Sequence, residues 1–125
     1  MKKLLIGIAF ILPLNLFAQD FDKIGDAFAS ADISTIAKSL DATVEFTFEG
    51  KEETIGRSDA ENKLRSFFMS NSPRSFNQVH SGVSKNDVHY MIGELLTTSG
   101  VFRTTIYLAK SGENYLIQSL EIEGK

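Results

Sequence analysis

The sequence predicts an α+β domain, with helices first and a long antiparallel sheet after them. Three observations carry this. Through the first half, apolar residues recur every three or four positions, as on one face of a helix. From Ser75 onward they fall in strand-like runs: Ser75 to Val83, Val88 to Thr98, Val101 to Ala109 and Tyr115 to Glu123. The separators between these runs are short and carry Gly and Asn, the kind that joins antiparallel neighbours.

The chain opens on MKKLLIGIAFILPLNLFAQ. A positive start at Lys2 and Lys3, an apolar run from Leu4 to Leu12, Pro13 and a small residue at Ala18 have the anatomy of a secretory signal peptide over residues 1–19. The run is short of the ~20 residues of a membrane-spanning helix. One domain, residues 20–125, is therefore expected to work in the periplasm or as a secreted protein, with no stable membrane anchor after cleavage. Cysteine is absent, so disulfides, thiolate catalysis and thiolate metal sites are excluded, as is lipid attachment to a cysteine behind the leader. About 106 residues suffice for one core. They carry 11 basic against 16 acidic side chains, a net −5, with Arg57, Arg65, Arg74 and Arg103 scattered. Such a surface is a poor partner for nucleic acid or anionic membranes.

Phe21, Ile24, Ala27, Phe28 and Ala31 give the first helix, from Asp20. Asp32 or Ser34 caps a second, with Ile33, Ile36, Ala37 and Leu40 on its apolar side. Thr43 to Phe48 alternates Val44, Phe46 and Phe48 with polar residues, a half-buried strand. After the Glu49–Glu52 turn, Glu53 to Ile55 pairs back. Ser58-Asp59-Ala60-Glu61 reads as a capping box opening a third helix. Its apolar side is Ala60, Leu64, Phe67 and Phe68, and Asn71-Ser72-Pro73 ends it. The Phe67-Phe68-Met69 cluster either lines a pocket or, more commonly at such spacing, is core.

Turn lengths set an expected register. Pairing Ser84 with Asp87 places His80 opposite Met91 and Gly82 opposite His89. Pairing Thr98 with Val101 places Leu96 opposite Arg103 and Glu94 opposite Thr105. Pairing Leu108 with Leu116 places Phe102 opposite Ile122. One face then carries Phe76, His80, His89, Met91, Leu95, Phe102, Ile106, Leu108, Leu116, Leu120 and Ile122, apolar enough to receive the helices. The other carries Tyr90, Ile92, Glu94, Leu96, Arg103, Tyr107, Ile117 and Glu121 among others. That mixed composition points to an interface through Tyr90, Glu94, Arg103 and Tyr107, a homodimer through the sheet. The ordinary alternative is a solvated face with a Glu94–Arg103 cross-strand pair.

The order of elements, with the Gly56-Arg57-Ser58 entry to the third helix, resembles the nuclear transport factor 2-like fold across nearly the whole domain. Tyr90-Met91-Ile92-Gly93-Glu94-Leu95, Gly100-Val101-Phe102-Arg103 and Ile117-Gln118-Ser119-Leu120-Glu121-Ile122-Glu123 resemble an uncharacterised family of small exported proteins from Bacteroidetes-type bacteria, a domain of unknown function. The resemblance implies a curved sheet wrapped around helices as a cone with an apolar pocket, and frequent dimers. The superfamily includes isomerases, dehydratases, epoxide hydrolases and proteins that only bind, so fold alone does not choose the function.

Enzymes on this fold place acids, bases or hydroxyls inside the cone. The expected inner face offers His80 and His89, with Thr104 and Gln118 as further polar ligand-binding candidates beside Gln78 and Thr97. Two imidazoles roughly 7 Å apart diagonally could share a metal only with a third ligand, and none is close in sequence. Polar edge residues are the more ordinary reading of both histidines. No phosphate-binding glycine loop, GxSxG elbow or HExxH helix is present. The expectation is a noncatalytic exported domain, without catalytic residues, metal or cofactor, binding a small apolar ligand or a protein partner. The alternatives are an isomerase- or hydrolase-type enzyme with His80 or His89 as base, and a structural assembly module whose cone is filled by its own side chains.

Overall fold

The computed structural model describes residues 12–125; residues 1–11, most of the expected leader, lie outside it. Helix α1 (Leu12–Ala29) begins upstream of the expected Asp20 and buries Phe21, Ile24, Ala27 and Phe28 along one stripe. Ala31 adopts φ 55° and ends it. Asp32 then caps α2 (Ile33–Ser39): the Thr35 amide donates to Asp32 Oδ1 at 3.2 Å and the Thr35 hydroxyl to Oδ2 at 2.7 Å. Those bonds hold the Asp32 carboxyl below its ordinary pKa.

Strand β1 (Leu40–Phe48) begins before the expected Thr43 and takes in Leu40, expected on the second helix; Val44 and Phe46 are buried in the expected alternation. A turn through Glu49 (φ 49°) and Gly50 (φ 83°) leads into β2 (Lys51–Gly56). Helix α3 (Arg57–Ser70) buries Ala60, Leu64, Phe67 and Phe68. The expected capping box does not form. The helix starts directly from the extended Gly56, which has no capping side chain, so Ser58 and Glu61 fall inside the helix. Glu61 instead takes Arg65 Nη2 at 3.0 Å, and Arg57 Nε donates to Leu40 O at 3.1 Å, tying the helix start to β1.

Strands β3 (Pro73–Val83), β4 (His89–Thr97), β5 (Gly100–Ser111) and β6 (Asn114–Gly124) form the antiparallel meander. The six strands make one curved mixed sheet in the order β2-β1-β6-β5-β4-β3, with β1 and β6 parallel and every other neighbour antiparallel. Helix α1 packs on β3 and β4, and α3 packs on β1 and β2.

Two bulges revise the expected register. Along β3, Phe76 faces Leu95 and Gln78 faces Gly93 as expected, but the extra residue Val79 shifts the pairing beyond it. His80 therefore faces Ile92, not Met91, and turns to the outer face; Gly82 faces Tyr90. On β6 a shift at Gln118 pairs Leu108 with Ile117 and Tyr107 with Ser119. Ile117 is thereby buried in the core, against the expected Leu116. Phe102 meets Gly124, and Ile122 meets Thr104. The β4–β5 turn closes on the pair Thr97 and Gly100 in place of Thr98 and Val101, so Glu94 faces Arg103 directly and Leu96 faces Val101. Opposing residues move by two positions, and such an even slip keeps each side chain on its face.

The interior is closed by aromatic rings. Phe28 contacts Phe68 (5.9 Å, edge-on) and Phe76 (5.8 Å). Phe67 contacts Phe68 at 5.5 Å and Phe102 at 4.9 Å. Met91, Leu95, Ile106, Leu108, Leu120 and Ile122 are fully buried beneath the helices. Each such side chain contributes about 1.5–3 kcal/mol on burial.

Candidate functional site

The expected ligand-binding residues do not converge. His89 and Thr104 point inward and are buried. His80 is on the outer face, where its Nε2 lies 3.2 Å from the Tyr90 hydroxyl. Gln118 sits at the β6 bulge and donates to Asp41 Oδ2 at 3.0 Å. With Glu45, Tyr107 and Glu121 it borders an outer depression of about 460 Å³. His80 and Gln118 are thus corrected from inside to outside, each by the bulge beside it. Thr104 Oγ1 is buried without a hydrogen-bond partner among the described residues.

His89 joins a cluster that composition did not reveal. Its Nε2 is 3.1 Å from Asp87 Oδ1, and Tyr115 donates its hydroxyl to Asp87 Oδ2. The His89 and Tyr115 rings meet edge-on at 5.2 Å. The left-handed turn at Asp87 (φ 60°) brings its carboxylate back over His89. The Tyr115 hydroxyl, and then His89, hold the Asp87 carboxyl below its ordinary pKa, and the same bond pushes the Tyr115 phenol up. Both carboxylate oxygens are engaged, so the cluster fastens the β3–β4 hairpin to the start of β6.

The four expected interface residues share the outer face. Tyr90 faces Tyr107 and Glu94 faces Arg103 in register, and the two tyrosine rings lie 6.3 Å apart. Glu94 Oε2 takes Lys125 Nζ at 2.5 Å, while Arg103 is flanked by Glu94 and Glu123 on the neighbouring strands. Burial and the nearby Glu121 push the Tyr107 phenol up.

Between the β1–β2 hairpin and α3 lies a groove of about 1000 Å³. Its floor is aromatic. Phe46 and Phe67 are buried there, and Phe48 remains 38% exposed, its ring edge-on to Phe67 at 5.7 Å. The β2 wall carries Lys51, Glu52 and Glu53; the α3 wall carries Asn62, Lys63, Ser66 and Ser70. Strand alternation explains the floor: Phe46 and Phe48 fall on the same face of β1 as the buried Val44, and Phe48, at the end of the strand, stays partly open. Phe67 belongs to the cluster read in the sequence as core or pocket lining, and it is both. An aromatic residue closing a half-buried strand was the available signal for Phe48.

Among the described residues, no three His, Asp or Glu side chains are grouped to hold a metal ion. No described helix is long and apolar enough to cross a membrane.

Residues 21–123 match the family model of DUF4783, a domain of unknown function. Crystal structures of DUF4783 proteins from Bacteroides fragilis and Bacteroides ovatus are similar to this chain at 29% and 27% identity, each with a TM-score of 0.78. They cover 82% of this chain, which spans 96% and 93% of theirs. An NTF2-like protein from Cytophaga hutchinsonii matches at 12% identity with a TM-score of 0.66, over 89% of this chain and 97% of its own, a likeness of fold alone. No curated protein matches. The aromatic-filled cone of helices on a curved sheet is therefore nuclear transport factor 2-like, and the chain belongs to the DUF4783 family.

Proposed function

We propose that this protein is a noncatalytic binding domain, acting outside the cytoplasm, that holds a small apolar-bodied ligand in the groove between the β1–β2 hairpin and α3. The observation that carries this is Phe48, 38% exposed beside Phe46 and Phe67 in an opening of about 1000 Å³. A large aromatic side chain left open in a concave site is the usual mark of a ligand surface. The cone interior does not offer the same room, because Phe28, Phe68 and Phe76 fill it. Titration with the neutral fluorescent probe N-phenyl-1-naphthylamine tests the reading. Saturable binding that Phe48→Ser abolishes supports it, and binding unaffected by that change refutes it. Native mass spectrometry of protein from its own cells then looks for a co-purifying small molecule.

A second reading, a homodimer through the outer face, is favoured by one arrangement. Tyr90 with Tyr107 and Glu94 with Arg103 form cross-strand pairs on one surface, either side of the pair Ile92 and Thr105. A two-fold contact would set each glutamate near the partner copy's arginine. The enzyme alternative now rests on His89 alone, since His80 lies outside the cone.

A further inference from the structure

We infer that the groove selects amphiphiles with an uncharged, hydrogen-bonding head, and that the Lys63–Glu53 ion pair sets this selectivity. The inference rests on the groove being a ligand site, and it concerns which ligand enters. Lys63 Nζ on α3 meets Glu53 Oε2 on β2 at 2.9 Å, so the pair spans the opening from wall to wall. The rim's charges are Lys51, Glu52, Glu53 and Lys63, two of each sign. It has no net charge with which to draw an ion.

A carboxylate head that turned to Lys63 would have to take it from Glu53 and would leave that glutamate beside a like charge, while Lys51 on the same rim is offset by its neighbour Glu52. An ammonium head meets the mirror-image penalty at Lys63. A hydroxyl or amide head disturbs neither. It also finds partners on the helix wall, where Asn62, Ser66 and Ser70 recur every four residues and line the groove. Their side chains make no hydrogen bond to another described residue. The aromatic floor would take the apolar body and this stripe the head.

Both partners of the pair are about half exposed (43% and 53%), so solvent limits the discrimination to roughly three-fold or somewhat more. The test displaces N-phenyl-1-naphthylamine with decyl glucoside, decanoate and decyltrimethylammonium, each below its micelle-forming concentration, at low salt. The wild-type protein is expected to bind the glucoside about three-fold or more tighter than either ion. Glu53→Gln releases Lys63 and should make decanoate the tightest of the three ligands. Lys63→Gln should do the same for decyltrimethylammonium. Tighter binding of an ionic head by the wild-type protein, or the same ranking in all three proteins, overturns the inference while leaving the groove as a site. Failure of every decyl compound to displace the dye overturns both.

Discussion

The ring of Phe76 occupies the space that a side chain at Gly93 would need. A Cβ built on Gly93 falls 2.5 Å from Phe76 Cε2, well inside contact distance. Gly25 of α1 approaches the same ring, with its own Cβ position 3.0 Å from Phe76 Cδ2. Phe76 is thus clasped between two glycines, one on the helix and one on the sheet. Gly93→Ala is expected to destabilise the fold by about 1–3 kcal/mol through overpacking. Gly93→Ala with Phe76→Leu should recover part of that loss, as measured by urea unfolding.

Thr104 buries a hydroxyl without a partner among the described residues, between Gly93 and Ile122. Leaving such a group unsatisfied costs about 1–3 kcal/mol. Thr104→Val keeps the shape and removes the hydroxyl, so it should raise unfolding stability by about 1 kcal/mol. Thr104→Ser keeps the hydroxyl and should lower stability instead.

The Asp87–Tyr115 bond predicts behaviour at both ends of the pH scale. Asp87 has a folded pKa below its ordinary 3.8, so its contribution is complete above that value and is lost as pH falls through the folded one. Tyr115 has a folded pKa above its ordinary 10.0, so its contribution is complete below that value and is lost as pH rises through the folded one. In Tyr115→Phe the Asp87 carboxyl should titrate at higher pH, and less stability should be lost in acid. Carboxyl-carbon NMR titration of Asp87 in both proteins reads the first effect directly.

The outer face predicts self-association that responds to charge. Arg103→Glu places a third acidic side chain between Glu94 and Glu123 and should shift sedimentation equilibrium from dimer to monomer. Ser34→Ala, exposed on helix α2 and not on the outer sheet face, should leave the equilibrium within two-fold of wild type, about 0.4 kcal/mol. A monomeric wild-type protein at micromolar concentration would remove the dimer reading.

The elements were legible because each is a local pattern. The stripe Phe21, Ile24, Ala27, Phe28 and the alternation Val44, Phe46, Phe48 appear in the fold as they appear in the chain. The two histidines show where legibility stops. One extra residue, Val79, turns His80 outward, and nothing in the composition of Asn77-Gln78-Val79-His80 marks a bulge. The same holds for Gln118, which exchanges Leu116 and Ile117 between faces. Turn lengths constrain a hairpin only near its turn, and a bulge beyond it is set by packing against the helices. The groove was harder still, because Phe48 and Ser66 are brought together by the placement of a hairpin against a helix. Only Phe67 carried a hint of it.

The parallel pairing of β1 with β6 has a consequence for how the molecule comes into being. The last strand lies between β1 and β5, and it is the β1–β2 hairpin's link to the rest of the sheet. A chain emerging from its N-terminus can close that hairpin early, but cannot seat it until the final dozen residues exist. Pairing strands so distant in sequence carries a large loop-closure cost, so this step should be late and slow. Until it happens the edge of β1 that β6 will cover stays unpaired. The groove's own lining, Phe46 to Asn71, is local in sequence and can assemble early, but it joins the rest of the sheet only when the last strand arrives.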